Sequence, residues 1–188
     1  MGLCSNKGMV KGEKLSEGRP RIMLVGEAPG AVEDEKGRPF MGKSGRKLRG
    51  TCIPESGISE SEFYITNVCK CRPDGNETPK MTWRRTCMRL HLRGEIERIR
   101  PRVIVALGGV PWSILRPVKG SLTDACGQWH WSEEFGCYVI PMFHPSFNVR
   151  GHLRTETMIA MWKEFGRNWK DGKQNVRPDN QTTIESFK

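Results

Sequence analysis

Four short apolar runs, each rich in β-branched residues and bounded by Gly, Pro or Asn, constrain what this chain can fold into. Runs of this kind are typical of strands that are buried on both faces of a parallel sheet. Helical segments separate the runs, and this alternation predicts an α/β domain with three layers, α/β/α, around a central four-stranded parallel sheet. The predicted strands cover residues 22–25, 63–65, 103–107 and 138–142.

The segments between the strands carry helix signals. Pro101 ends the second predicted helix, and Pro111 stands near the start of the third, where proline is common. Gly50 and Pro54 are poor residues for a helix interior, so the first helix is expected to be short. The last predicted helix has apolar residues at helical spacing, which core packing explains. The predicted helices cover residues 44–52, 83–99, 111–115 and 157–169.

The composition of the 188 residues is that of a soluble globular protein, with 36% hydrophobic and 28% charged residues. We expect one domain over residues 1–170, followed by a disordered polar tail over residues 171–188. No apolar run approaches the ~20 residues of a membrane span, and residues 1–20 do not resemble a signal peptide. These features predict a cytoplasmic protein with no membrane partner, and we expect it to be a monomer.

The formal net charge of +10 favours a polyanionic partner, and nucleic acid is the usual one for a basic protein. A basic protein without such a partner is the alternative, and charge alone does not separate the two. A membrane surface is a third option, but the sequence has no prominent amphipathic basic helix.

Two motifs far apart in the chain place reactive side chains directly after predicted strands. Residues 26–30, Gly-Glu-Ala-Pro-Gly, form a turn that projects Glu27, although such a turn alone is a weak signal. His144 follows the last strand, and Pro145 fixes the backbone beside it. A histidine in such a loop is more often a surface or capping residue. Because open α/β sheets build their sites at the carboxyl ends of strands, we expect both motifs in one active site.

The segment after the first motif is rich in acids and glycines. Glu33 and Asp34 stand in a basic protein, where acids near a polyanion weaken binding, which favours a role for them in chemistry. Lys43 and Ser44 begin the first predicted helix, whose backbone amides offer a site for a DNA phosphate. A plain N-cap role for Ser44 is equally consistent with the sequence.

The cysteines indicate a metal or cluster site. The chain has seven, an odd number, and nothing in the sequence indicates secretion. In a reducing compartment, clustered cysteines bind metals or iron–sulfur clusters more often than they form disulfides. Cys126 and Cys137 are expected to be buried apolar residues instead. The cysteines lie at positions 4, 52, 69, 71, 87, 126 and 137.

The motifs, taken in order, resemble those of the family 4 (iron–sulfur) uracil-DNA glycosylases. That family reads Gly-Glu-(Gly/Ala)-Pro-Gly, then Gly-Arg-Pro-Phe, an Asn after a strand, two spaced cysteines, and His-Pro-(Ser/Ala)-(Phe/Tyr). The resemblance covers about residues 22–150. The matching segments are residues 26–30, residues 37–40, residues 64–67, Cys71, Cys87 and residues 144–147.

The resemblance implies an enzyme of DNA base excision repair that hydrolyses the N-glycosidic bond of uracil in single- or double-stranded DNA. The enzyme would flip the base out of the helix and leave an abasic site. His144 would donate a hydrogen bond to the departing uracil, and Glu27 would position or activate the attacking water. Phe40 would stack on the uracil, and Asn67 would read its edge.

The resemblance also implies how the rest of the substrate is held. Gly26 and Ala28 would lie against the substrate, while Ser44 and Arg150 would contact it through phosphate. Solvated surface charge is the other interpretation of Arg150.

The loop that enters the duplex would begin at Phe147. The family has two leucines before the arginine, whereas this chain has Asn148 and Val149. Because Asn is a poorer wedge than Leu, we expect weaker activity on duplex than on single-stranded DNA.

The same resemblance implies a [4Fe–4S] cluster, which normally takes four cysteine ligands. Cys71 and Cys87 have the spacing of two family ligands, and Cys4 stands where the family has another. The remaining family cysteine falls at Met1. Three explanations stay open: the true start lies upstream, another cysteine substitutes, or the cluster is a three-cysteine version or absent.

Cys52 and Cys69 are the candidate substitutes. Cys69 lies two residues from Cys71 and is expected to point to the opposite face of the strand. That orientation would make it a poor ligand.

Two other functions are consistent with parts of the sequence. A catalytically inactive, glycosylase-like module that binds nucleic acid would fit the incomplete cysteine set, but the residues named above for catalysis and base recognition are intact. An enzyme of small-molecule nucleotides with a flavodoxin-like shape would need a phosphate loop richer in glycine than residues 42–45.

Overall fold

The structure, a computed structural model, describes residues 8–177 and contains one sheet of six strands. The strands are β1 (Glu13–Lys14), β2 (Ile22–Gly26), β3 (Phe63–Asn67), β4 (Val103–Leu107), β5 (His130–Ser132) and β6 (Cys137–Met142). The four predicted strands are confirmed and form the parallel centre, in the order β3-β2-β4-β6. The prediction missed β1 and β5, which pair antiparallel at the two edges. Each has only two or three residues, too few for a periodic signal.

Helices fill the connections, and the predicted ones are confirmed with ends shifted by a few residues. The helices are α1 (Ala31–Lys36), α2 (Lys43–Lys47), α3 (Ile53–Ser56), α4 (Met81–Cys87), α5 (Arg93–Ile99), α6 (Gly109–Leu115), α7 (Leu122–Ala125), α8 (Pro145–Val149) and α9 (Thr155–Lys170). Two π turns, Leu48–Cys52 and Met88–Leu92, join α2 to α3 and α4 to α5. Within residues 8–177, no helix is long and apolar enough to span a lipid bilayer.

The helical segment from α2 to α3 is longer than the sequence predicts. Gly50 lies inside the π turn, and Pro54 lies in the first turn of α3, where proline is tolerated. The segment ends only at Gly57, whose φ of +62° is left-handed and stops the helix. The expected shortening by Gly50 and Pro54 is therefore wrong.

The central strands divide their side chains between two hydrophobic cores, one on each face of the sheet. In β2, Ile22 and Leu24 belong to the first core, while Met23 and Val25 belong to the second. Side chains of α3 and α9 close the first core, and those of α5 and α6 close the second. This arrangement confirms the predicted three-layer α/β/α domain.

The first residues of the segment predicted as a tail pack against the domain. Lys173–Asn175 form a 3-10 turn, and the Asn175 side-chain oxygen accepts a hydrogen bond from Arg102. The Tyr138 hydroxyl donates to the carbonyl of Val176 at 2.5 Å. Residues 178–188 lie outside the described residues.

Candidate active site

Two adjoining cavities open at the carboxyl ends of the parallel strands, where the sequence predicts the active site. The larger has a volume of about 520 Å³ and includes Glu27 and Arg150 in its wall. The smaller, of about 400 Å³, includes Phe40, Ser44 and Asn67. The two motifs therefore meet in one place, as predicted. The residues that line both cavities are Ala28, Gly30, Asn76, His144 and Ser146.

Phe40 and Asn67 lie side by side against Gly26. A Cβ atom at position 26 would lie 2.4 Å from Asn67 Oδ1 and 2.6 Å from Phe40 Cζ, so only glycine leaves room for both. The Phe40 ring stacks on the His144 ring, with centroids 6.0 Å apart. Phe40 also has a φ of +57°, an unfavourable backbone conformation for a residue with a side chain. Backbone strain of this kind clusters at functional sites.

Asn67 presents a buried amide to the smaller cavity. It is the last residue of β3, and only 4% of its surface is exposed. Its side-chain amide has no hydrogen-bond partner within residues 8–177. An amide placed in this way offers one donor side and one acceptor to a ligand.

His144 is the N-cap of α8, and Ser146 fixes the orientation of its ring. The Ser146 backbone N–H donates to Nδ1 at 3.1 Å, and the Ser146 hydroxyl lies 2.8 Å from the same atom. Because Nδ1 is an acceptor, the neutral ring carries its proton on Nε2. Burial, and next the positive charge of Arg150, lower the pKa of His144 to about 4, against the opposite effect of Glu33. At pH 7 the ring is therefore neutral, with Nε2–H as its donor.

Glu27 lies half-buried in the larger cavity. Burial raises its pKa, whereas Arg84, a hydrogen bond donated by the Thr78 hydroxyl, and Arg150 act in the opposite direction. A carboxyl with a raised pKa in a cavity is a candidate for work on a proton or a water molecule.

Glu33 connects the two loops that enclose the smaller cavity. Its carboxylate accepts hydrogen bonds from the backbone N–H groups of Gly30, Met41 and Gly42, at 3.1, 2.8 and 2.7 Å. This acid therefore holds the site together. Gly42 is the N-cap of α2, so the N-cap interpretation of Ser44 is wrong. The Gly42 amide is bound to Glu33, and Ser44 itself lines the cavity.

The loop after β3 adds two residues that sequence reasoning did not select. Asn76, at the end of a 3-10 turn and with a φ of +57°, lines both cavities. Thr78 lies in the larger cavity beside Glu27. The turn sequence Asp-Gly-Asn was the only signal, and a turn signal does not reveal which strand end the loop covers.

The rim of the larger cavity is formed by α8 and carries exposed apolar side chains. Phe147 and Val149 are 39% and 43% exposed. The Arg150 guanidinium lies 6.0 Å from the centroid of the Phe147 ring. Asn148 faces inwards, because its amide donates to the Leu153 carbonyl at 2.8 Å. The residues that project from this loop are therefore Phe147 and Val149.

Three buried cysteines lie beside the site, after β3 and in α4. Cys71 and Cys87 are 0% and 4% exposed, and Cys69 is fully buried. The Cys69 thiol is hydrogen-bonded to the Cys87 sulfur. Contrary to the expectation that it points away, the Cys69 side chain therefore faces one of the two expected ligands, Cys87. Cys4 lies outside the described residues.

The surroundings of Cys87 favour its thiolate. The pKa of Cys87 is lowered, first by the hydrogen bond from Cys69, and also by the backbone N–H and the ammonium group of Lys70. The pKa of Cys69 is raised by the same contact and by burial. Within residues 8–177, no three His, Cys, Asp or Glu side chains converge as a single metal ion requires.

The remaining cysteines lie away from this group. Cys52 packs in the first core, with its sulfur 3.6 Å from that of Met158, on the face of the sheet opposite to Cys69. It is therefore excluded as a substitute ligand. Cys137 is buried in the second core, as predicted, whereas Cys126 is only half-buried.

A buried ion pair supports the end of β3. Lys70, 2% exposed, donates hydrogen bonds to Thr66 Oγ1 at 2.6 Å, to the Asn67 carbonyl at 2.7 Å and to Glu95 Oε2 at 2.7 Å. Burial lowers the pKa of Lys70, and Glu95 opposes that effect. The pair thus fixes the backbone from which the Asn67 amide projects.

Comparison with known proteins identifies the family of this chain. The model of the uracil DNA glycosylase superfamily matches residues 14–166. A type-4 uracil-DNA glycosylase of Thermotoga maritima is 41% identical over 149 residues, which cover 75% of this chain and 72% of that protein. The type-4 enzyme of Archaeoglobus fulgidus is 44% identical over 150 residues, 73% of this chain and 72% of that protein.

A type-4 enzyme of Pyrobaculum aerophilum is 39% identical over 121 residues, 64% of this chain and 60% of that protein. Residues 14–166, the part that the family model matches, contain every residue that lines the two cavities. The chain therefore belongs to the uracil DNA glycosylase superfamily.

Proposed function

We propose that this chain is a type-4 uracil-DNA glycosylase, which hydrolyses the N-glycosidic bond of uracil in DNA and leaves an abasic site. The observation that carries the proposal is the meeting of Phe40, Asn67 and His144 around one small cavity, with Glu27 in the adjoining one. The names of the type-4 relatives support the same reaction. An inactive binding module is less favoured, because it would not need these side chains to meet around adjoining cavities.

The smaller cavity is the proposed uracil pocket. The base would stack on Phe40 and exchange hydrogen bonds with the amide of Asn67, which has both a donor and an acceptor for the uracil edge. Gly26 leaves room for these two side chains, because it has no Cβ atom that would overlap them. Ala28 is part of the wall between this cavity and the larger one.

His144 would stabilise the departing base. As the N-glycosidic bond breaks, negative charge develops on the uracil, so a hydrogen bond from Nε2–H is stronger in the transition state than in the ground state. The contact of Ser146 with Nδ1 sets this tautomer before substrate arrives. Catalysis then needs no protonated imidazole.

Glu27 would position the attacking water. The sugar becomes oxocarbenium-like as the base leaves, and such a cation needs only a weak nucleophile. A hydrogen bond from the water to the Glu27 carboxylate suffices to aim it, with Thr78 holding that carboxylate.

The rim would bind and open the DNA. Arg150 and Ser44 are the proposed phosphate contacts. Phe147 and Val149 project from the rim and would occupy the gap left by the flipped nucleotide. Because Asn148 is turned inwards, this wedge is small, and we expect slower excision from duplex than from single-stranded DNA.

The iron–sulfur cluster of the family fits the donors of this chain. Buried thiols at Cys69, Cys71 and Cys87 lie after β3 and in α4, and one of them is stabilised as thiolate. A four-iron cluster binds each thiolate through a different iron, so its ligands do not converge as those of a single ion do. We propose Cys4, Cys71 and Cys87 as ligands. When bound, the cluster would supply iron–thiolate bonds that cross-link these segments, and it takes no part in the steps above.

The reaction is tested by excision from a single-stranded oligonucleotide that carries one uracil, with protein prepared anaerobically. Alkali then cleaves the strand wherever an abasic site has formed. We expect cleavage at the uracil, and none in a matched oligonucleotide with thymine at that position. Intact DNA after incubation with folded, cluster-loaded protein would overturn the proposal and favour the inactive binding module.

Replacing Gly26 by alanine is expected to lower the rate of excision by about 10²-fold, the cost of misplacing reacting groups by about 1 Å. The added methyl group overlaps Asn67 Oδ1 and the Phe40 ring, so both must move. The measurement is the single-turnover rate on the uracil oligonucleotide. Gly94→Ala is the matched control, because a Cβ there meets nothing within 4 Å. Equal rates for the two variants would contradict the proposed pocket.

The rate of excision is expected to pass through pH 6.5, the ordinary pKa of histidine, without an inflection. The pKa of His144 is lowered to about 4, so the neutral ring persists as the pH falls well below 6.5. The loss of activity in acid should instead follow Glu27, whose raised pKa makes it take up a proton first. Single-turnover rates across this range, for the wild type and Glu27→Gln, measure this. A fall centred near pH 6.5 in both proteins would contradict a neutral His144.

A further inference from the structure

We propose that Cys69 is an additional ligand of the iron–sulfur cluster, in the place of the family cysteine that falls at Met1. This inference rests on the cluster proposed above. The family pattern leaves Cys69 without a role.

The position of the Cys69 side chain is the first support. Its thiol is fully buried and is hydrogen-bonded to the sulfur of Cys87, one of the family ligands. Cys71, another family ligand, is two residues further along the same bend. The other free cysteines of residues 8–177 lie elsewhere. Cys52 is on the opposite face of the sheet, Cys126 follows α7, and Cys137 shares the second core but lies in β6, which β2 and β4 separate from β3.

The backbone at Cys69 is the second support. Its N–H donates to the Glu27 carbonyl at 3.0 Å, and the N–H of Val68 donates to the Gly26 carbonyl at 2.8 Å. The Lys70 carbonyl accepts a hydrogen bond from the Val10 N–H at 2.8 Å. The thiol is therefore presented by a segment that is fixed on both sides, as a ligand to a rigid cluster needs to be.

Ligation requires no change of redox state in the protein. The Cys69 thiol releases its proton to solvent, and its sulfur forms one bond to an iron of the cluster. The contact between Cys69 and Cys87 would then be replaced by bonds from each sulfur to the cluster.

A cluster ligand at Cys69 would affect the active site through Glu27. The Cys69 N–H donates a hydrogen bond to the carbonyl of Glu27, the residue proposed to position water. A cluster bound to Cys69 would therefore be linked to the Glu27 backbone through this one hydrogen bond. Loss of the cluster would then disturb Glu27 before it disturbed His144, which lies after β6.

The test is the cluster content of the full chain after anaerobic reconstitution with iron and sulfide, in the wild type, Cys69→Ala, Cys71→Ala and Cys137→Ala. Iron and acid-labile sulfide per chain and the visible absorbance of the cluster are the measurements. We expect about four irons in the wild type and in Cys137→Ala, and less than about half of that in Cys69→Ala and Cys71→Ala. Circular dichroism of each protein before reconstitution shows whether it is folded.

The outcomes distinguish the role of Cys69 from the presence of the cluster. Full iron in Cys69→Ala with loss in Cys71→Ala would overturn the role of Cys69 and leave the cluster standing. A wild type that takes up no iron would overturn the cluster itself, while the excision assay tests the glycosylase reaction independently. If Cys69→Ala fails to fold, Cys69→Ser preserves the shape of the side chain. A ligand role then predicts an altered electron paramagnetic resonance spectrum of the reduced cluster, and an unchanged spectrum would overturn it.

Discussion

Replacing His144 by alanine is expected to lower the single-turnover rate of uracil excision by roughly 10²–10³-fold, the usual effect of removing one donor to a developing negative charge. The imidazole is held in one tautomer by Ser146 and is kept neutral by burial, so its single free donor, Nε2–H, would be lost. The affinity for single-stranded DNA should change little, because phosphate contacts dominate it. The rate is measured by alkaline cleavage at the abasic site.

His91→Ala is the matched control for this experiment. His91 lies on the π turn between α4 and α5, which is not part of either cavity wall, so the same chemical change should leave the rate unaltered. A His144→Ala enzyme that retains more than about a tenth of the wild-type rate would contradict the proposed role, since a lost transition-state hydrogen bond costs more than that. A parallel loss of DNA affinity would indicate a role in binding.

The strands and their ends were predictable because the buried strands of a parallel sheet appear in the sequence as continuous apolar runs. A strand buried on both faces must be apolar throughout, and the residue that follows it is delivered to one edge of the sheet. This reasoning placed Asn67 and His144 in the same site although they are far apart in the chain. The edge strand β1, two residues long and paired to β3, leaves no such trace.

The loops were predictable only in part, because their course depends on contacts between segments distant in sequence. An acidic residue in a helix does not reveal that its carboxylate will accept hydrogen bonds from Met41 and Gly42. The sequence around Phe40 likewise does not reveal its positive φ. The expectation for Cys69 was unsound whether or not the chain bends after Asn67. Even in an extended strand, residues two apart share a face, so Cys69 and Cys71 were never good candidates for opposite sides.

Replacing Lys70 by methionine is expected to lower the free energy of unfolding by about 3–5 kcal/mol, the effect of breaking a buried ion pair on one side. Methionine fills the space of the aliphatic chain but leaves the carboxylate of Glu95, 13% exposed, without its cation. The Thr66 hydroxyl and the Asn67 carbonyl lose a donor at the same time. Urea denaturation at pH 7 measures the loss.

Two further variants decide whether the missing charge is the cause. Lys163→Met removes the cation of an exposed pair with Glu55, in which the lysine side chain is 54% exposed, and should cost no more than about 1 kcal/mol. Combining Lys70→Met with Glu95→Gln removes the orphaned charge and should recover part of the stability, because a neutral amide is less costly to bury than an unpaired carboxylate. If Lys70→Met cost no more than Lys163→Met, the ion pair would not hold the end of β3. The position of the Asn67 amide would then need another explanation, since no other side chain within residues 8–177 binds its backbone carbonyl.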